Sequence, residues 1–227
     1  MTGTQQDHRI IIIDRGVDQA AAAQAFLGEP GVSLLGVGSD EPLSPDDVNT
    51  DEVAGADVVL VALDVPPEVV RTALSHAHGK VLLDPTPVPG LDAAALRAWV
   101  ETFAPFVHVL LPDLPTLAAL VSETDETEVV ALAGGLAEQL RVNVVVPLGR
   151  QGAVIALQEQ EPEVVEAPEA ETVDSSGADD CFRGVLSVLL AEKTPLTEAV
   201  RIAVRATAEY SASGALPTRE RSAAVSR

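Results

Sequence analysis

Cysteine is almost missing from this sequence, with one in 227 residues. That excludes an internal disulfide and any zinc cluster built from cysteine. Long hydrophobic runs are missing too. The longest unbroken stretches, such as Val58–Leu63, fall far short of the roughly 20 residues that cross a bilayer. The polar start MTGTQQDHR leads straight into a strand-like run, so no secretory signal is visible and the cytoplasm is the expected compartment. Basic residues are scarce: 14 Lys plus Arg stand against 35 Asp plus Glu, a formal net charge of −21. Such a surface excludes nucleic acid and membrane surfaces as partners, because binding either needs clustered Lys and Arg. It disfavours nucleotide phosphates as well, so any phosphate site must be built locally from backbone amides or a cation. No repeat and no flexible linker divides the chain.

What is present is a folded composition, 47% hydrophobic and 22% charged. Apolar β-branched runs alternate with Ala/Leu-rich helical stretches. The pattern predicts strands at Arg9–Ile13, Val32–Val37, Val58–Leu63, Val81–Leu83, Val107–Leu111, Val142–Val146 and Ala153–Leu157. Helices are predicted at Asp18–Leu27, Pro66–His78, Leu91–Phe103, Leu114–Val121, Glu126–Leu140, Ala178–Glu192 and Thr197–Ser213. Glu159–Thr172, with Val164 and Val165 embedded, reads as an edge strand and loop. Several strands are continuously hydrophobic, as strands buried on both faces are. The fold class is therefore α/β, one doubly wound domain over residues 1–227 with a mostly parallel sheet between helices. Ligands of such sheets bind beyond the carboxyl ends of the strands, at helix N-termini.

The segment Val173-Asp174-Ser175-Ser176-Gly177-Ala178-Asp179-Asp180 opens a long apolar helix through a glycine turn. The first amides of that helix have no partners inside it and carry the positive end of its dipole. They form an anion hole, with Asp180 at its rim placed to take a proton from an attacking hydroxyl. Acidic residues in a first helical turn are also ordinary capping.

This segment resembles the D-T-T-G-A-G-D signature of the ribokinase (PfkB) family of sugar and nucleoside kinases. Other pieces follow in the family's order, from about residue 10 to 220. Arg15–Ala20 resembles the G-G-K-G-A-N-Q-A region, and Leu34–Asp40 the G-x-V-G-x-D turn. Ala62–Pro66 is similar to the glutamate–x–proline step and Leu83–Pro87 to the N-P-A-P turn. Leu111-Pro112-Asp113 stands for P-N-E-x-E, Val144–Gly152 for the T-L-G-x-x-G turn, and Gly214-Ala215 with Pro217 for the closing G-A-x-P. The resemblance implies an ATP-dependent phosphotransferase acting on a small-molecule sugar or nucleoside. Asp180 would be the base, and the amides of Gly177, Ala178 and Asp179 would hold the phosphoryl group. Gly149 and Gly152 would admit the nucleotide phosphates, because a Cβ there would collide with them. Asp113 and Ser175 complete the cofactor side, with Mg2+ on the phosphates. Asp14, Gly16 and Asp18 would face the acceptor. Asp174, Gly214 and Thr218 match a loop for a monovalent cation such as K+.

Four departures from the family pattern stand out. Asp179 replaces a glycine in the anion hole; a like charge ~4 Å from a phosphate costs about 1 kcal/mol in water and about 4 at an effective dielectric of 20. A side chain is also strained there if the turn needs positive φ. The family's magnesium-organising Asn and second Glu fall on Asp113 and Thr116, and Thr116 cannot act as a carboxylate. The sugar-binding Gly-Gly becomes Ile13-Asp14, with Ile13 expected to fill sugar space, and an Asn becomes Asp18, which accepts but does not donate. Finally, the lid is missing: only 14 residues precede Arg15, and residues 41–57 read as a polar loop with at most a short turn. The sheet face left bare by that loss would favour a homo-oligomer. Two readings stay open: a kinase, or a catalytically impaired relative that binds nucleotide, sugar or a protein partner. A structural subunit completed by a partner is a third.

Among the smaller features, His76 and His78 cap a helix C-terminus, and Cys181, Trp99 and Tyr210 read as packing residues. Arg183 reads as lying on an outward face, paired with a carboxylate rather than a phosphate.

Overall fold

A computed structural model describes residues 8–16, 18–28, 30–36, 43–86, 91–121, 128–169 and 176–220. Eight strands form one sheet in the order β2-β1-β3-β4-β5-β6-β7-β8. They are β1 (Ile10–Ile13), β2 (Val32–Leu35), β3 (Val58–Ala62), β4 (Lys80–Asp84), β5 (Val109–Leu110), β6 (Asn143–Pro147), β7 (Gly152–Ala156) and β8 (Glu163–Glu166). The first six in that spatial row run parallel, and β7 runs antiparallel to both its neighbours, β6 and β8.

The helices are α1 (Asp18–Leu27), α2 (Thr50–Gly55), α3 (Pro67–His76), α4 (Ala93–Phe103), α5 (Leu114–Val121), α6 (Val129–Leu140), α7 (Ala178–Ala191) and α8 (Leu196–Ser213). Residues 18–27 and 114–121 form helices with the bounds that periodicity predicts. Residues 45–57 are more ordered than their polarity suggests. Pro45–Asp47 makes a 3-10 turn, and Asn49 accepts from the Glu52 amide to start α2. Val53 then anchors that short helix in the core. The loop expectation fails there because one buried valine and a good N-cap suffice for two turns. Residues 41 and 42 of that piece lie outside the described residues.

Strand alternation divides the core in two. Ile11, Ile13, Val59 and Val61 face α2 to α6, while Ile10, Ile12, Val58 and Leu60 face α1, α7 and α8. Both faces are covered, which is why these strands carry no polar alternation. Ile13 is completely buried in this core. It therefore fills no sugar space, contrary to the expectation from sequence. The charged β8 closes the antiparallel edge, with Glu163, Val164 and Glu166 exposed and Val165 buried. Among the described residues no helix is long and apolar enough to cross a membrane.

The chain leaves β1 toward β2 on one side, and β3 continues on the other. The strand order therefore reverses between β1 and β3, a topological switch point that opens a crevice at the carboxyl ends. α7 lies over this crevice because Gly184 brings it against α1: a Cβ at 184 would run into the Gln19 carbonyl, the Ala23 amide and the Ala22 methyl. We expect Gly184→Ala to lower stability by about 1–3 kcal/mol in urea unfolding. An unchanged midpoint would contradict this packing.

Candidate active site

Four parallel strands deliver an aspartate each to the crevice. Asp14 follows β1, Asp64 lies in the turn after β3, Asp84 ends β4, and Asp113 follows β5. Facing them is the start of α7. Gly177, in the left-handed conformation at φ 74°, is its N-cap, and the first helical bond runs from the Cys181 amide to the Gly177 carbonyl (2.9 Å). The amides of Ala178, Asp179 and Asp180 thus precede the helical ladder. Tyr210 secures this turn, its hydroxyl donating to the Ser176 carbonyl at 2.9 Å. It is more than the packing residue its isolation suggests. Residue 179 itself has ordinary helical backbone, so the strain feared for a non-glycine there does not arise.

Asp84 is the most constrained of the carboxylates. Its Oδ1 accepts from the Thr86 amide (3.0 Å) and hydroxyl (2.7 Å), and its Oδ2 accepts from Gln19 Nε2 (3.3 Å). Arg183 Nε lies 3.0 Å from the same Oδ2, with both side chains buried. The outward face expected for Arg183 is therefore wrong, although its carboxylate partner is as expected. The fit against α1 turns that helix face inward. Arg183 Nη1 is 3.9 Å from Asp180 Oδ1, and the Asp180 side chain keeps 34% exposure.

The electrostatics follow from burial. Burial pushes Asp14 up to about 6; the Gly16 amide (3.0 Å to Oδ1) resists this, while Asp64 and Asp84 add to it. Asp64 is raised chiefly by burial, against the Arg15 amide that donates to it. Asp179 and Asp180 are raised by burial in opposition to Arg183. For Arg183, burial works against the charge, and Asp84, Asp179, Asp180 and Asp113 outweigh it, so its pKa is raised. Cys181 is pushed up to about 12 by burial and is no nucleophile.

The start of α7 opens on a cleft of about 710 Å³. Its other walls are Thr86, Asp113 and the turn Leu148–Gln151 between β6 and β7. Gly149 in that turn has φ 54° with open space where a side chain would point. Gly152 is different: a Cβ there would run into the Val165 carbonyl of β8, so strand pairing, not a nucleotide, demands this glycine. A second pocket of about 280 Å³ flanks the same turn, lined by Gly149, Arg150, Gln151, the Ala167–Glu169 segment and Thr207, Ala208 and Ser211 of α8.

The structure thus brings Asp180, Gly177, Ala178, Asp179, Gly149 and Asp113 to one cleft. Asp14, Gly16 and Asp18 do not line that cleft: Asp14 follows β1 within electrostatic reach of Asp180, and Gly16 and Asp18 are exposed. Asp113 Oδ1 accepts from the Thr116 amide (2.8 Å), and Thr116 is buried, so position 116 offers the cleft nothing. Asp174 and Ser175 lie outside the described residues, and Gly214 and Thr218 follow α8. Among the described residues no three His, Cys, Asp or Glu side chains gather as a metal site. Sequence reading missed Asp64, Asp84, Gln19 and Arg183 as site residues. The available signal was that each aspartate closes a strand–turn step.

Three comparisons bear on this arrangement. The model of the pfkB family carbohydrate kinases matches residues 38–214. The chain belongs to that family. A Schizosaccharomyces pombe ribokinase is 26% identical over 164 residues, which is 69% of this chain and 49% of the relative. A Bacillus subtilis ribokinase is 26% identical over 211 residues, 88% of this chain and 67% of the relative. The chain spans about half the length of the first curated relatives it matches, 49% and 43%. Among solved structures, ribokinase from Thermotoga maritima superposes with a TM-score of 0.79 at 18% identity, covering 96% of this chain and 98% of that one. Arabidopsis thaliana ribokinase complexed with ribose and ATP gives 0.74 at 18%, covering 97% and 99%. In this family member the fold is thus the ribokinase fold.

The sign of the Asp14 shift gives a prediction. A carboxyl whose folded pKa is raised contributes stability below its ordinary value of 3.8 and loses it as pH rises through about 6. Asp14→Asn, which still accepts from Gly16, should gain stability relative to the native chain between pH 4 and 7, by about 2 kcal/mol. Thermal unfolding across that range checks this; a pH-independent difference contradicts it.

Proposed function

We propose that this chain transfers the γ-phosphoryl group of ATP to a hydroxyl of a sugar or nucleoside. One observation carries the reading: Asp180 stands at the mouth of the unpaired α7 amides, in the same cleft as the open Gly149 turn. The amides of Gly177 to Asp179 supply donors for the transferring group without any Lys or Arg surface. The flanking 280 Å³ pocket is placed for the nucleotide base, with the Leu148–Gln151 turn between base and phosphates. The acceptor would approach from the side of Asp14, Gly16 and Asp18. Asp180 Oδ takes the hydroxyl proton as that oxygen bonds to phosphorus, and the bond from phosphorus to the bridging oxygen breaks to release ADP.

The donors suit a magnesium ion held mainly by the phosphates, with Asp113 the carboxylate nearest to hand; such an ion neutralises phosphate charge. A potassium ion beside Asp174 is assigned no chemistry. The relatives with ADP, ATP, or ATP with Mg2+ bound support the nucleotide part of the proposal. A homo-oligomer is compatible with the tetrameric phosphofructokinase-2 of Escherichia coli among the structural neighbours.

The impaired-relative reading has its own observation. Asp179 is only half-exposed on the cleft wall, within electrostatic reach of Asp113 and Asp84, where an incoming phosphate meets a like charge.

A transfer assay over pentoses, hexoses and nucleosides tests the first reading. Asp180→Asn should cut turnover by about 10²–10⁴-fold while leaving ATP-induced thermal stabilisation in place; equal turnover removes the base. Ala208→Trp, filling the smaller pocket, should abolish the stabilisation of about 2.7 kcal/mol expected at 100 times Kd. Persistence of that shift would remove the base pocket. If Asp179→Gly raises turnover and tightens ATP, the extra carboxylate is a brake; if neither changes, the repulsion is unimportant.

A further inference from the structure

α7 carries a feature that phosphoryl transfer by amides and a base does not require: a guanidinium buried one turn behind the base. Arg183 retains 4% exposure, and its Nε sits 3.0 Å from Asp84 Oδ2. Asp84 cannot swing away, because the Thr86 amide and hydroxyl occupy its Oδ1 and the Gln19 amide donates to its Oδ2. The guanidinium is therefore aimed from behind. Its Nε lies 3.0 Å from Asp84 Oδ2 as an ion pair without a hydrogen bond, and Nη1 is 3.9 Å from Asp180, beside the cleft that Arg183 also lines. A guanidinium is always charged and more weakly hydrated than an ammonium, so it tolerates this buried place among carboxylates better than a lysine does.

The surroundings of Asp180 are otherwise hostile to its charge. Asp14 from the end of β1 and Asp84 from β4 face it and Asp179 is its chain neighbour, while Gln19 of α1 joins Arg183 in favouring the charge through a hydrogen bond. Asp179 is likewise faced by Asp113 and Asp84, with Arg183 its cationic neighbour. Arg183 thus serves several carboxylates around a half-dry crevice.

We propose that Arg183 is a positioning residue: its guanidinium, buried beside Asp84, places a fixed positive charge that keeps Asp180 ionised as the base and offsets the charge that Asp179 brings into the anion hole. This rests on the phosphotransferase reading for the word base, but the charge arrangement is testable without turnover. It also gives the acidic residue 179 a compensating partner within the same helix, one turn on.

The test is carbon-13 NMR titration of protein labelled at the aspartate carboxyls, with the Asp180 resonance assigned by Asp180→Asn. In Arg183→Gln the midpoint of Asp180 should rise by about one pH unit or more, a tenfold or greater gain in proton affinity. Arg183→Lys should recover part of that shift, because the charge returns on a more strongly hydrated ammonium. Arg183→Gln leaves Asp84 buried without its cation and risks misfolding. The pair Asp84→Asn and Asp84→Asn/Arg183→Gln, compared with each other, then isolates Arg183 in a neutralised setting and should show the same upward displacement. An Asp180 midpoint that stays put when Arg183 is removed, in either comparison, overturns the proposal, even if stability falls. A displaced midpoint in protein that transfers no phosphate supports the charge arrangement and removes the kinase reading.

Discussion

A guanidinium with 4% exposure and a carboxylate with 2% sit together behind the cleft, and neither could be there alone. Burying an unpaired ion costs several kcal/mol even after relaxation, so each of Arg183 and Asp84 makes the other tolerable. Their contact ties the end of β4 to the middle of α7. Gln19 draws α1 into the same knot, and the missing side chain of Gly184 lets α1 and α7 close to that distance. With these three elements fixed, the first turn of α7 has little freedom in where it points its amides. The geometry of the candidate site is thus a consequence of how one charge pair is buried.

Much of this was legible from residue order. Continuous β-branched runs such as Ile10–Ile13 and Val58–Ala62 announce strands covered on both faces, and both are buried throughout. Helices α1 and α5 fall at their predicted bounds because an aspartate marks the start of each, Asp18 in the first turn of α1 and Asp113, which accepts from the Thr116 amide, just ahead of α5. The edge strand inside the acidic segment was visible from Val164 and Val165 alone. The boundaries of β5 were not: only Val109 and Leu110 pair on it, although Val107–Leu111 is uniformly apolar. Hydrophobicity reports burial, and here burial extends beyond the hydrogen-bonded ladder.

The site was legible only as far as its local motif. Gly177 to Asp180 and Gly149 carry their meaning in adjacent residues. Arg183 and Asp84 do not, because their pairing exists only once β4 and α7 meet. Tyr210 belongs with them: its bond to Ser176 crosses from α8 to a turn that precedes α7. Gly152 was noticed for the wrong reason, since a glycine forced by a neighbouring strand and one left open for a ligand look alike in sequence. Only Gly149 shows the open space a ligand needs. The chain spans about half of its first matched relatives, and within that length it carries an eight-strand sheet, the amide nest and the carboxylate beside it.

The most direct test of phosphoryl transfer at the α7 N-terminus is a crystal structure with ADP, magnesium and a planar metal fluoride as mimic of the transferring group. The account predicts the fluoride within hydrogen-bonding distance of the Gly177, Ala178 and Asp179 amides, with the Asp180 carboxylate on the face opposite ADP. Nucleotide bound with its phosphates away from that turn, or a fluoride approached by no α7 amide, would contradict it.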